Sequence, residues 1–284
     1  MTAAGGDIPP PPHPAGGGKW HDLSRRLASA AVLLLIGVLL ALATGLWLRL
    51  LISVIVAITF WELARMTGWR HPATHHTRFG RGRPIVLGVL AGVALFYTLT
   101  LEGASPWMLA LPILAGLPGA VARDRVPYAL FGLAILLVGD ALVLLRESLG
   151  LGAVLWMIGV VMISDVLGYF AGRTIGGPKF WPRISPKKTW SGTVAGWIGA
   201  TLFGALLVAL ARGGWALIWF SPLVAFAGQL GDIAESWLKR RAGVKDSSNL
   251  IPGHGGLMDR FDAISGAVLM VGLLDLLGWL PISP

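Results

Sequence analysis

The chain has 284 residues, 55% of them hydrophobic and only 13% charged, with a formal net charge of +9. A water-facing domain carries about 25% charged residues, so a soluble globular fold is excluded and a single membrane domain is expected. The absence of cysteine excludes disulfides, thiolate nucleophiles and Cys-ligated zinc.

Residues 1–24 are dominated by Pro, Gly and Ala and hold nothing that could form a core. They are expected to be a disordered cytoplasmic tail. A secretory signal is not expected, because the apolar region begins only after Arg25 and Arg26 and more apolar runs follow it.

Nine apolar runs then follow, at about 27–45, 48–66, 84–101, 106–122, 127–145, 150–172, 191–210, 214–236 and 262–281. About 20 apolar residues cross a hydrocarbon core as a helix. Lipid offers backbone groups no partners, so each run is expected to be helical. The expected fold is all-α: a polytopic integral membrane protein with about nine transmembrane helices. Residues 25–150 form its N-terminal helices and 151–284 a C-terminal catalytic region. With the N-terminus in the cytoplasm, all but Arg49, Arg146 and Arg212 of the 23 basic residues fall in inner loops, as the positive-inside rule requires. The basic surplus therefore reads as topology, and no nucleic-acid partner is implied.

Ionisable residues within spans cost roughly 2.5–3.5 kcal/mol on insertion scales and mark function. Asp140, Asp165, Asp232, Glu235 and Asp275 lie in or near spans, and Asp259 and Asp262 stand at the entry to the last one. Four stretches concentrate the polar chemistry. In Ser164–Arg173, Asp165, Tyr169 and Gly172 share one helical face, with Arg173 following. In Ile184–Gly192, Ser185, Lys187, Lys188 and Thr189 form a basic loop leading into a helix, a setting suited to a polyphosphate. In Gly231–Arg240, Asp232, Glu235 and Ser236 share a face, with Lys239, Arg240 and Arg241 close behind. Carboxylates so placed, facing others on a neighbouring helix, suit Mg²⁺. In Lys245–Asp262, Lys245, Asp246, His254, Asp259 and Arg260 surround a turn whose Pro252, Gly253, Gly255 and Gly256 allow close backbone approach. Together these parts suit phosphoryl or nucleotidyl transfer, which needs metal, cations and geometry more than a covalent nucleophile.

The stretch from Ser236 through Lys239-Arg240, Lys245-Asp246, Pro252-Gly253-His254-Gly255-Gly256, Asp259-Arg260 and Asp262 resembles the signature of the phosphatidate cytidylyltransferase (CDP-diacylglycerol synthase) family. The resemblance extends upstream through Gly231-Asp232, through Ser185–Thr189 with Gly192, and through Asp165, Tyr169, Gly172 and Arg173. It implies that CTP and phosphatidate give CDP-diacylglycerol and pyrophosphate, with Asp232 and Asp259 holding Mg²⁺, and K⁺ as a second cation. Lys239, Arg240, Lys245 and Asp246 are then expected around phosphates and cytidine. Ser185, Lys187 and Lys188 are expected on the triphosphate or the lipid phosphate. His254 is expected either to bind phosphate or to shape its loop. Thr189, Asp165, Tyr169, Arg173, Ser236, Gly255, Gly256 and Arg260 complete the expected substrate-binding set. The family also implies a homodimer. The charge asymmetry puts the active site on the cytoplasmic face, among membrane lipids, with the bacterial inner membrane as the expected location. One departure is visible: Ser191 stands where the family often has an acidic residue. A CTP-dependent lipid kinase, a cytidylyltransferase for another lipid, and an ion-coupled transporter using Asp165, Asp232 and Asp259 are the alternatives.

Overall fold

The apolar runs fold into helices packed side by side, as a computed structural model of residues 35–68, 82–210 and 213–280 describes. The tail, residues 27–34 of the first run and Arg212 lie outside the described residues, with 35–42 helical. The helices are α1 (Gly45–Thr67), α2 (Gly82–Thr100), the short α3 (Ala110–Gly116), α4 (Arg125–Ser148), α5 (Gly150–Thr174), α6 (Trp190–Ala209), α7 (Ala216–Ala242) and α8 (Met258–Leu276). Between α5 and α6 lies a two-stranded antiparallel hairpin, β1 (Lys179–Trp181) and β2 (Ser185–Thr189). Among the described residues, six helices are long and apolar enough to cross a membrane. The chain is an integral membrane protein.

Two expectations need correction. The run at 106–122 is not one continuous helix. It is a 3₁₀ turn at Pro106–Leu109, the seven-residue α3, and a second 3₁₀ turn at Leu117–Gly119. Pro106, Pro112 and Pro118 remove backbone donors, and Gly116 and Gly119 weaken helix further. The segment still returns the chain along the bundle. Gly68 and Ala120 pair, and Val121 N–H donates to the Thr67 carbonyl at 3.1 Å. The second correction concerns Ser185–Thr189, expected as a loop leading into a helix, which is strand β2 leading into one.

The bundle has two chemically distinct ends. Arg49 pairs with Glu147, and Arg146 donates to the Ala41 carbonyl at 3.3 Å, so these basic residues share one end. At the other end Arg241 pairs with Asp124 and also donates to the Arg123 carbonyl. The ends of α1, α5 and α7 and the start of α8 meet there, together with the hairpin. Two apolar clusters hold the bundle. One joins α1, α2 and α4 and takes Leu238 and Met258 from α7 and α8. The other joins α5, α6, α7 and α8. Within the second, α7 and α8 approach so closely that a Cβ on Gly266 would lie 2.1 Å from the Ala227 carbonyl oxygen. Small residues at such a crossing let backbones touch in the absence of a hydrophobic drive between helices.

The hairpin feeds directly into α6. Thr189 is its N-cap, its side-chain oxygen accepting from the Gly192 amide at 3.2 Å. Replacing Thr189 with Ala is expected to cost about 1 kcal/mol, measurable as a lowered melting temperature of the detergent-solubilised protein.

Candidate active site

Four elements meet around a cavity of about 710 Å³ at the hairpin end of the bundle. Helix α5 contributes Asp165, Tyr169 and Arg173, the stretch around β2 contributes Lys187, Lys188 and Thr189, α7 contributes Asp232, and α8 contributes Asp259, Arg260 and Asp262. The α5–α6 wall is thin because it carries glycine: Gly168 and Gly172 face Gly192. Residues separated by almost one hundred positions in sequence are thus brought to one space.

Two of the cavity carboxylates, Asp232 and Asp259, are held by cations. Lys188 Nζ lies 2.6 Å from Asp232 Oδ2, and Ser236 donates to Asp232 Oδ1 at 3.3 Å. Lys239 Nζ lies 2.6 Å from Asp259 Oδ1 and 3.3 Å from Glu235 Oε1. Arg173 donates to the Tyr169 hydroxyl at 2.7 Å, and both side chains are exposed at the cavity edge.

A second cavity, of about 220 Å³, adjoins the first through Lys187. It is lined by Ser185, Ser236, Lys239, Arg240, Lys245 and Asp246. Of the expected catalytic and substrate-binding residues, only His254, Gly255 and Gly256 line neither cavity. They form the turn beneath Asp259. Ile251 and Gly255 pair across it, and the His254 carbonyl accepts two bonds from the Arg260 guanidinium, at 2.7 and 3.1 Å.

That turn grips Asp259. Its Oδ2 accepts from the Gly256 amide at 2.7 Å, the Ser247 amide at 2.9 Å and the Ser247 hydroxyl at 3.0 Å. With Oδ2 saturated, Oδ1 is the oxygen left for a cation. Asp232 presents its carboxylate to the same cavity from a different helix. Among the described residues, no group of three or more His, Asp or Glu side chains closes on one point. A pair of carboxylates is the usual protein share for Mg²⁺, which completes its octahedron with water and substrate phosphates. The donor set is all oxygen, and Lys187, Lys188, Arg173 and Arg260, cations of the kind that suit phosphate oxygens, line the same cavity.

The family model described as cytidylyltransferase matches residues 24–276. The chain belongs to the cytidylyltransferase family. A phosphatidate cytidylyltransferase of Pseudomonas aeruginosa is 34% identical over 281 residues, covering 90% of this chain and 98% of the relative. One of Staphylococcus aureus is 27% identical over 270 residues, covering 88% and 97%. One of Brucella abortus is 43% identical over 129 residues, and there the match spans only 48% of the relative's length.

Sequence reasoning missed two features of this family member's site. The first is a neutral polar cluster on the cavity wall. Gln229 donates to Ser164 Oγ at 3.1 Å and accepts from the Trp197 indole at 3.1 Å, tying α5, α6 and α7 together. The second is Glu62 on α1, fully buried and hydrogen-bonded to the turn that holds Asp259. Its only signal was a carboxylate inside an apolar run.

Proposed function

We propose that the chain transfers the cytidylyl group of CTP to phosphatidate, giving CDP-diacylglycerol and pyrophosphate. An oxygen of the lipid phosphate attacks the α-phosphorus of CTP. The bond between that phosphorus and the oxygen bridging to the β-phosphate breaks, and pyrophosphate leaves with the electron pair. The lipid phosphate is already largely ionised at neutral pH, so no general base is required. Asp232 and Asp259 would hold Mg²⁺, which would supply charge neutralisation at the reacting phosphates, and K⁺ is the proposed second cation.

The chain's own groups do the positioning. Lys187 stands between the two cavities, so it can touch a triphosphate that extends from one to the other. Lys239, Arg240, Lys245 and Asp246 receive the nucleotide on the smaller side. Arg173 and Tyr169, exposed at the edge of α5, receive the lipid headgroup from the bilayer. The hairpin end of the bundle then faces the cytoplasm, in the bacterial inner membrane, with the N-terminus on the same side and the chain paired as a homodimer. Support comes from the described basic residues, which gather at that end, all but Arg49 and Arg146.

One observation carries this reading: Asp232 and Asp259, from separate helices, line one cavity with four basic side chains. Purified protein given CTP, phosphatidate and Mg²⁺ should release pyrophosphate and form CDP-diacylglycerol. Release of CDP instead would mark a lipid kinase, and no nucleotide turnover would return the transporter reading. Lys245→Ala is expected to raise the KM for CTP about tenfold, the loss of one charge-assisted phosphate contact. An unchanged KM would remove Lys245 from the nucleotide site.

A further inference from the structure

Glu62 lies in the last two turns of α1 with none of its surface exposed. A buried carboxylate is costly unless hydrogen-bonded, and an apolar residue would fill an α1 position without that cost. Glu62 is hydrogen-bonded four times, and all four donors come from the segment 247–258. Oε1 accepts from the Ser248 hydroxyl and from the Leu257 amide at 2.9 Å. Oε2 accepts from the Met258 amide at 2.7 Å and from the Ser247 hydroxyl at 3.2 Å. Both oxygens are occupied by the fold, so Glu62 is not itself a ligand or a base.

The contacts lead to Asp259. The Leu257 and Met258 amides open α8, where unpaired N–H groups and the helix dipole favour an anion. Here the anion comes from another helix, almost two hundred residues away in sequence. Ser247 Oγ lies between the two carboxylates, 3.2 Å from Glu62 and 3.0 Å from Asp259. Gly256, whose amide holds Asp259, is pressed against Glu62: a Cβ there would lie 2.4 Å from Glu62 Oε1. Every protein donor on Asp259 Oδ2 therefore belongs to a residue that Glu62 touches.

We propose that Glu62 is a positioning residue for Asp259. It acts through Ser247, Gly256 and the first amides of α8 to keep Oδ1 turned toward the cavity and a divalent cation. This rests on the reading that Asp259 holds that cation. Outer partners of metal ligands of this kind change metal affinity about 10- to 100-fold when removed.

The test is Mn²⁺ binding to the purified full-length protein in detergent, read by the loss of the free-ion electron paramagnetic resonance signal. Glu62→Gln keeps the shape but turns one acceptor oxygen into a donor facing donors. Its Kd for Mn²⁺ should rise at least about tenfold. A purely structural role would lower the melting temperature and leave the affinity of the folded protein unchanged. Ser248→Ala removes one donor from Glu62 without touching Asp259, and should raise the Kd in the same direction by less. If Glu62→Gln does not fold, Ser248→Ala decides. Wild-type affinity in the folded variants overturns the inference. A wild-type protein that binds no Mn²⁺ overturns the metal reading itself, and the inference with it.

Discussion

Asp259→Asn should lower turnover on the order of 100- to 1000-fold while the protein still inserts and folds. The reason lies in how the side chain is held. Oδ2 accepts three hydrogen bonds from Ser247 and Gly256, so an asparagine must point its one oxygen there. Its amide nitrogen then replaces Oδ1 and faces Lys239 Nζ, which now lies 2.6 Å away. A donor meets a cation at the position where the proposed metal would need an oxygen. Asp232→Asn should be equally severe for catalysis, with a smaller effect on folding. Its side chain is about a third exposed, so water can satisfy Lys188 once the partner charge is gone. Pyrophosphate release at saturating CTP, beside melting curves, separates the two effects. Near-normal turnover in either variant takes that residue out of the proposed metal site.

The second large effect is expected from a single methyl group. Gly256→Ala should destabilise the protein by about 1–3 kcal/mol and lower activity more than tenfold. The new Cβ would fall 2.0 Å from Ser247 Oγ and 2.4 Å from Glu62 Oε1. Neither neighbour can retreat, because Glu62 is locked on α1 by four donors and Ser247 is bonded to two carboxylates. The turn must shift instead, and with it the amide that holds Asp259. Gly152→Ala is the control, since its Cβ would meet open space. A wild-type melting temperature and rate in Gly256→Ala would show that the turn is slack.

The sequence revealed what hydropathy and spacing carry. The runs at 48–66, 84–101, 127–145, 150–172, 191–210 and 214–236 became helices with ends displaced by a few residues, because length and apolar content alone fix them in lipid. The 106–122 run reads as one span because its apolar composition outweighs its three prolines, yet those prolines divide it into short turns. The hairpin at 179–189 was invisible, since three- and five-residue strands rich in Lys and Pro show no alternation. At the site, Asp232 and Asp259 were legible because charge within or beside a span is rare. Their neighbours Gln229 and Ser164 were not, since neutral polar residues are common in membrane helices as packing partners. Glu62 escaped because its partners lie 185 to 196 positions onward, a distance no local pattern spans.

Helix α7 has 27 residues, which at 1.5 Å per residue is about 40 Å, a third more than the hydrocarbon slab of about 30 Å. Its surplus turns, bearing Lys239, Arg240 and Arg241, rise into the layer where lipid phosphates already float. A diacylated reactant need never be hoisted from the leaflet. It can glide sideways to its partner with both tails still dissolved in oil, while the water-borne reactant descends to meet it.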